Sequence, residues 1–171
     1  MPVLVGERLV LRPLLDADVE ALAVVVTSPG AAEWWGVNDD PEELREGLRN
    51  DGAAWAIEVH GELAGWLGVS EENDPDYPSA GLDITLAPPF QGRGLGPEAL
   101  RVAIRWLADD HGHHRFTIDP ALANERAIRA YASVGFKPVG VLRSYERAPD
   151  GTWRDGLLMD LLADELLPAP R

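Results

Sequence analysis

In RLVLRP, Leu9 and Leu11 alternate with Val10 and Arg12 ahead of Pro13, and a period of two over so short a run predicts a strand. The period then lengthens. Val19, Leu22, Ala23 and Val26 fall at i, i+3, i+4 and i+7, with Asp16 placed to cap a helix and Asp18 and Glu20 in its first turn. Ser28-Pro29-Gly30 ends it, and a loop carrying Glu33-Trp34-Trp35-Gly36 follows. DDPEELREGLRN predicts a second helix, with Asp40 as cap and Pro41 at the first helical position. Between Trp55 and Val69 the period returns to two around His60-Gly61, which predicts a hairpin. After the polar segment EENDPDYPS, the strand AGLDITLAP runs into a loop with Gly92, Gly94 and Gly96. Leu100, Ala103, Ile104 and Leu107 then line one face of a helix, RFTID forms a short strand, and NERAIRAYASVG forms a helix closed by Gly135. Two strands around Pro149-Asp150-Gly151 complete the chain. The order is strand, two helices, three strands, helix, strand, helix, two strands. It predicts a mixed α/β sheet flanked by helices in one domain spanning residues 1–171.

Composition narrows the chemistry. The chain has no cysteine, which excludes disulfides, Cys-based zinc sites and a thiol nucleophile. Its 29 acidic and 15 basic residues give a net charge of -14, which repels nucleic acid and anionic membranes and attracts cationic ligands. No stretch approaches the roughly 20 apolar residues of a membrane span, and the first residues do not read as a secretory signal, so a soluble, cytoplasmic protein is expected. His111, His113 and His114 suggest a metal cluster, but they lack helical i, i+4 spacing and an evident carboxylate partner; they are read as closing the long helix, and no metal is expected.

A glycine-rich turn between a strand and a helix N-terminus directs several backbone N–H groups at one point, where the helix dipole also favours negative charge. A diphosphate suits such a place. The P-loop is excluded because Pro97-Glu98, not Lys-Ser/Thr, follows Gly96; a Rossmann loop is disfavoured by the G-x-G-x-G spacing and by the hairpin that precedes it. The turn taken alone could be no more than a tight connection.

Gln91-x-x-Gly94-x-Gly96, preceded by Leu86-x-Pro88, resembles the Q/R-x-x-G-x-G/A pattern of the GNAT acetyltransferase superfamily. Asn124, Ala127, Tyr131, Gly135 and Phe136 match a second pattern of that superfamily, N-x-x-A-x-x-x-Y-x-x-x-G-F. The resemblance implies a mostly antiparallel central sheet flanked by helices and an acetyl-CoA-dependent transfer to an amine. It assigns the pyrophosphate of coenzyme A to Gln91, Gly92, Arg93, Gly94, Leu95 and Gly96. Asn124 and Ala127 fall to the pantetheine arm, with Asn124 also able to cap its helix. The backbone N–H of Leu86 falls to the developing oxyanion, and Tyr131 to protonation of the departing sulfur; from periodicity alone Tyr131 reads as part of an apolar helical stripe.

For the acceptor, the chain is most similar to aminoglycoside 6'-N-acetyltransferases, through EWWG, the GLD of Gly81 to Asp83, and the run from Ile118 to Phe136. This similarity implies a cationic aminoglycoside held by Trp34, Trp35, Asp83 and Asp119, with Asp83 as candidate base and resistance as the role. Asp119 also has a plainer reading, as the residue that ends its strand before Pro120, and the two tryptophans could be a buried pair that pins the loop. The opening GERLVLRPLLDADVEAL and the long closing hairpin look more like enzymes that acetylate ribosomal-protein N-termini. That substrate, another small amine, and a non-catalytic coenzyme A binding module stay as alternatives, and either a monomer or a homodimer is compatible with the sequence.

Overall fold

The computed structural model describes residues 1–34, 42, 46 and 53–169. The second helix expected from Asp40 and Pro41, and Trp35, lie outside the described residues. Strands β1 (Leu4–Val5), β2 (Val10–Pro13), β3 (Ala53–Val59), β4 (Glu62–Glu72), β5 (Ser79–Leu86), β6 (Arg115–Ile118), β7 (Lys137–Arg147) and β8 (Trp153–Leu162) form one sheet in the order β1-β2-β3-β4-β5-β6-β8-β7. Every neighbouring pair is antiparallel except β5 with β6. The two-residue β1 was not expected; it is too short to show a period. Helices α1 (Val19–Val26), α2 (Leu95–His111) and α3 (Glu125–Ala132) complete the regular elements, and α2 makes the crossover that a parallel β5–β6 pair requires.

The sheet separates two apolar clusters by the alternation of its strands. On one face Leu95, Leu100, Ile104 and Leu107 of α2 pack against Leu11, Ile57, Leu67, Leu82, Phe116 and Met159. On the other, Val19, Leu22 and Val26 of α1 meet Ala54 and Trp66. The start of α1 corrects the sequence reading. Residues 16–18 form a 3-10 turn, and it is Asp18 that flanks α1. Its carboxylate accepts the Leu15 N–H at 2.9 Å and both guanidinium nitrogens Nη1 and Nη2 of Arg12, which also binds Glu58. The arginine supplied by β2 decides which of the two aspartates is drawn inward. Among the described residues, no helix is long and apolar enough to cross a membrane.

Candidate active site

β5 meets β6 through Ser79–Gly81 opposite Arg115–Thr117, so among the described residues the last five of β5 have no strand beside them on that side. The gap opens toward the glycine loop. On its other side β5 stays paired with β4 as far as Leu86. The Ala87 N–H is bonded to the Ala64 carbonyl at 2.8 Å, so the antiparallel alternation turns the Leu86 N–H and C=O the opposite way, into the gap. Gln91 Nε2 donates to that Leu86 carbonyl at 2.7 Å, which leaves the Leu86 N–H as the group directed at an incoming ligand.

The loop from Gln91 to Gly96 then turns into α2. Gly92 and Gly94 sit at φ of 70° and 77°, a left-handed conformation that glycine adopts without strain, and Gly94 flanks the helix directly. A Cβ at Gly92 would meet nothing within 4 Å, and Gly92, Gly94 and Gly96 border a hollow beside the N-terminus of α2. Arg8, which the sequence reading passed over, supports this loop from behind. Its Nη1 donates to the Arg93 carbonyl at 2.9 Å, and its Nε pairs with Glu98 in the first turn of α2 at 2.8 Å. The Arg93 guanidinium lies 5.9 Å from the Phe90 ring centre, outside the lining of the cleft.

A cleft of about 880 Å³ joins the loop to the open strands. Trp34, Asp83, Leu86, Asp119, Asn124, Ala127 and Tyr131 all border it, together with Gln91, Gly92, Gly94, Leu95 and Gly96. Asn124 caps α3, its Oδ1 accepting the Ala127 N–H at 3.1 Å. Burial, followed by the charges of Asp83 and Asp119, pushes the Tyr131 hydroxyl above its ordinary value, so it holds its proton as an acid must. The same two carboxylates concentrate negative potential at the mouth.

Three further groups complete this end. Tyr145 hydrogen-bonds Asp119, and that bond, with burial, pushes its hydroxyl up to about 12. It reaches the cleft because β7 bulges between Leu142 and Glu146, with Ser144 at φ 47° and its N–H held by Asp155 at 2.8 Å. Gly156 on β8 makes room: a Cβ there would sit 2.9 Å from Tyr145 Cδ1. Arg154 donates to the carbonyls of Glu33 at 2.5 Å and Trp34 at 2.9 Å, pairs with Glu146, and lies 5.8 Å from the Trp34 ring centre. Trp66 on β4 forms the floor where α1 packs. Composition hinted at Tyr145 and Arg154 only as members of a long hairpin, since a bulge is invisible to periodicity.

A sequence model of the acetyltransferase (GNAT) domain matches residues 8–137. The chain belongs to the GNAT acetyltransferase family. It is 35% identical over 167 residues to aminoglycoside N(6')-acetyltransferase type 1 of Klebsiella pneumoniae, covering 85% of this chain and 80% of that one. It is also 32% identical over 87 residues to ribosomal protein uS5-alanine N-acetyltransferase of Escherichia coli (strain K12), covering 51% and 44%. The fold matches Mycobacterium smegmatis RimJ in complex with CoA-disulfide at a TM-score of 0.82 and 24% identity, over 99% of this chain and 89% of that one.

GNAT enzymes use acetyl-CoA, and the residues of this member fit it. The hollow at Gly92 and Gly94 sits at the N-terminus of a 17-residue helix, where an anion is favoured. Beyond Gly81, where the pairing of β5 with β6 stops, the strand edge borders the cleft, which suits an extended amide-bearing arm lying along it. The arrangement that a thioester and an amine need, an N–H donor and a protonated hydroxyl beside carboxylates, is present in one cleft.

Proposed function

We propose that this GNAT enzyme transfers the acetyl group of acetyl-CoA directly to a primary amine of an aminoglycoside, the 6'-amine, in the manner of a resistance enzyme. The observation that carries the reading is the meeting of Trp34, Asp83, Asp119 and Glu146 in the cleft that begins at the glycine loop. A polycationic sugar needs carboxylates for its ammonium groups and a flat apolar wall for its rings, and a net charge of -14 favours its approach. The 35% identity to the Klebsiella pneumoniae enzyme supports the same acceptor.

Acetyl-CoA, when bound, supplies the acetyl group as an activated thioester. The loop amides from Gln91 to Gly96 hold its pyrophosphate, with Arg93 near the outer phosphates, and Asn124 and Ala127 hold the pantetheine arm. Asp83 takes the proton of the attacking ammonium, directly or through water, so that a neutral amine is presented. The Leu86 N–H donates to the carbonyl oxygen as that atom gains charge, Tyr131 gives its proton to the sulfur as the C–S bond breaks, and the second proton of the amine nitrogen, shed as the amide forms, returns through water to Tyr131. Asp119, paired with Tyr145, binds a second ammonium of the substrate.

Acetylation of a protein N-terminus is the second reading, favoured by the 32% identity to the uS5-alanine enzyme over half of the chain. Thiol release from acetyl-CoA with kanamycin, tobramycin, a ribosomal-protein N-terminal peptide and spermidine tests both. Rapid release with the aminoglycosides is expected. Release with the peptide alone transfers the assignment to the second reading, and binding of acetyl-CoA without release to any amine leaves a coenzyme-binding module.

A further inference from the structure

Glu71, near the end of β4, stands with His111, the last residue of α2, and His113 just beyond it. Its Oε2 lies 2.7 Å from His111 Nδ1 and 2.7 Å from His113 Nε2, and the three ligand atoms all lie within 4.8 Å of one another. The sequence reading set the histidines aside for want of a carboxylate; the fold supplies one from 40 residues upstream. None of the three borders the cleft.

We infer that Glu71, His111 and His113 form a binding site for a divalent transition-metal ion of the zinc type, which fastens the end of β4 to the end of α2 and the start of β6. Two imidazole nitrogens and one carboxylate oxygen, with a fourth position left for water, are a donor set that zinc accepts. Each ligand is oriented before any ion arrives. The His113 ring is buried, 2% exposed. The His111 ring packs against Trp106 with centres 4.1 Å apart and planes tilted by 57°, and Trp106 in turn abuts Trp55 edge-on. His111 keeps its side chain partly exposed, which gives an ion a way in. It is also the last residue of α2, so a cation there meets the negative end of a 17-residue helix dipole in a chain of net charge -14.

The geometry asks for a small adjustment. Metal–ligand bonds of about 2.0–2.1 Å set neighbouring ligand atoms about 3.3 Å apart in a tetrahedron, so each 2.7 Å contact opens by roughly 0.6 Å. Protons balance as follows. An ionised carboxylate only accepts, so both ring nitrogens facing Oε2 carry hydrogen. On metal binding the His111 proton moves to Nε2 and the His113 proton to Nδ1. His113 Nδ1 has no hydrogen-bond partner among the described residues, so only the Glu71 side fixes that tautomer.

The test uses the full, untagged chain stripped of metal and titrated with cobalt(II), followed by the visible bands of low-coordinate cobalt and by displacement with zinc. One saturable equivalent is expected, with zinc raising the melting temperature of the wild type. Glu71→Gln, nearly isosteric and still able to accept from both rings, is expected to weaken binding by about 100-fold or more, since even losing a group behind a metal ligand costs about 10- to 100-fold. His111→Ala is the independent second variant and should do the same, whereas removal of the exposed neighbour in His114→Ala should change nothing. No saturable uptake overturns the site. So does binding that survives both Glu71→Gln and His111→Ala, or that disappears in His114→Ala.

Discussion

Arg154 offers the sharpest test of how the acceptor end is assembled. Its guanidinium joins β8 to the segment carrying Trp34 through two backbone carbonyls, those of Glu33 and Trp34. Arg154→Met keeps most of the aliphatic stem and deletes both bonds. A bond from a charged donor contributes about 1.5–3 kcal/mol, so the pair together holds the segment by about 3 kcal/mol at the lower end. At 1.4 kcal/mol per tenfold, full release of the segment lowers the fraction of molecules with Trp34 in place by about 100-fold. Packing of Trp34 that survives the change reduces the effect, so the KM for the amine should rise by about 10- to 100-fold.

Glu146 acts in the opposite direction. Freed from Arg154, it becomes an unpaired carboxylate at the mouth and attracts a cationic amine, so the single variant understates the loss. Adding Glu146→Gln separates the two effects, and the double variant should have the higher amine KM. Arg154→Lys should restore only part of the wild-type value, because one ammonium cannot span two carbonyls and a carboxylate as the planar fork does. The assay is steady-state thiol release, with the amine varied at saturating acetyl-CoA and then the reverse. An unchanged amine KM in a variant that melts like the wild type refutes the role of Trp34 as an acceptor wall. An equal rise in both KM values refutes a local effect.

Three other outcomes are expected. Tyr131→Phe should lower kcat by about 10²- to 10⁴-fold with little change in the KM for acetyl-CoA, and an unchanged kcat would remove it as the acid; because the hydroxyl is pushed upward it keeps its proton beyond the ordinary tyrosine range, so an alkaline limb near pH 10 that vanishes in the variant would refute the upward shift. Asp83→Asn should damage use of the amine far more than binding of acetyl-CoA by calorimetry, and an unchanged rate removes Asp83 from the chemistry. Arg12→Met should cost about 3 kcal/mol in urea denaturation at neutral pH, since it strands the Asp18 carboxylate. Asp18 is held below the usual carboxylate range by Arg12, so that stability is present above the unfolded-state value near 4 and is lost as pH falls through the folded value. The wild type should therefore lose its advantage over Arg12→Met in acid, and a constant gap from neutral pH down through acid would refute the linkage.

The geometry of the glycine-loop side of the cleft was legible because it is local. A hollow made of backbone N–H groups needs only glycines at two left-handed positions and a helix starting beside them, and Gly92, Gly94 and Leu95 state that within four residues. Asn124 and Tyr131 lie seven residues apart on one short helix, so their relation to the loop follows once the strand order is known. Long-range electrostatics escaped. Nothing near Asp16 or Asp18 shows which one Arg12 will draw inward, and nothing near His111 shows that β4 will place Glu71 against it.

The opposite side is built differently: Trp34, Asp83 and Asp119 could be named from the sequence, whereas Tyr145, Glu146 and Arg154 could not, since they depend on a bulge and on a long-range bond. Tyr145 is turned by Ser144 in a left-handed conformation and accommodated by Gly156 across the ladder. Trp34 is held by Arg154 from 120 residues downstream. A backbone cradle constrains few side chains, so a fold that keeps it can exchange the groups opposite at small cost to stability. On the proposed function the bulge of β7 and the Arg154 bridge would set amine specificity, and substitutions at Ser144, Gly156 and Arg154 should change the preferred amine in thiol-release assays across the amine panel while leaving the affinity for acetyl-CoA in place.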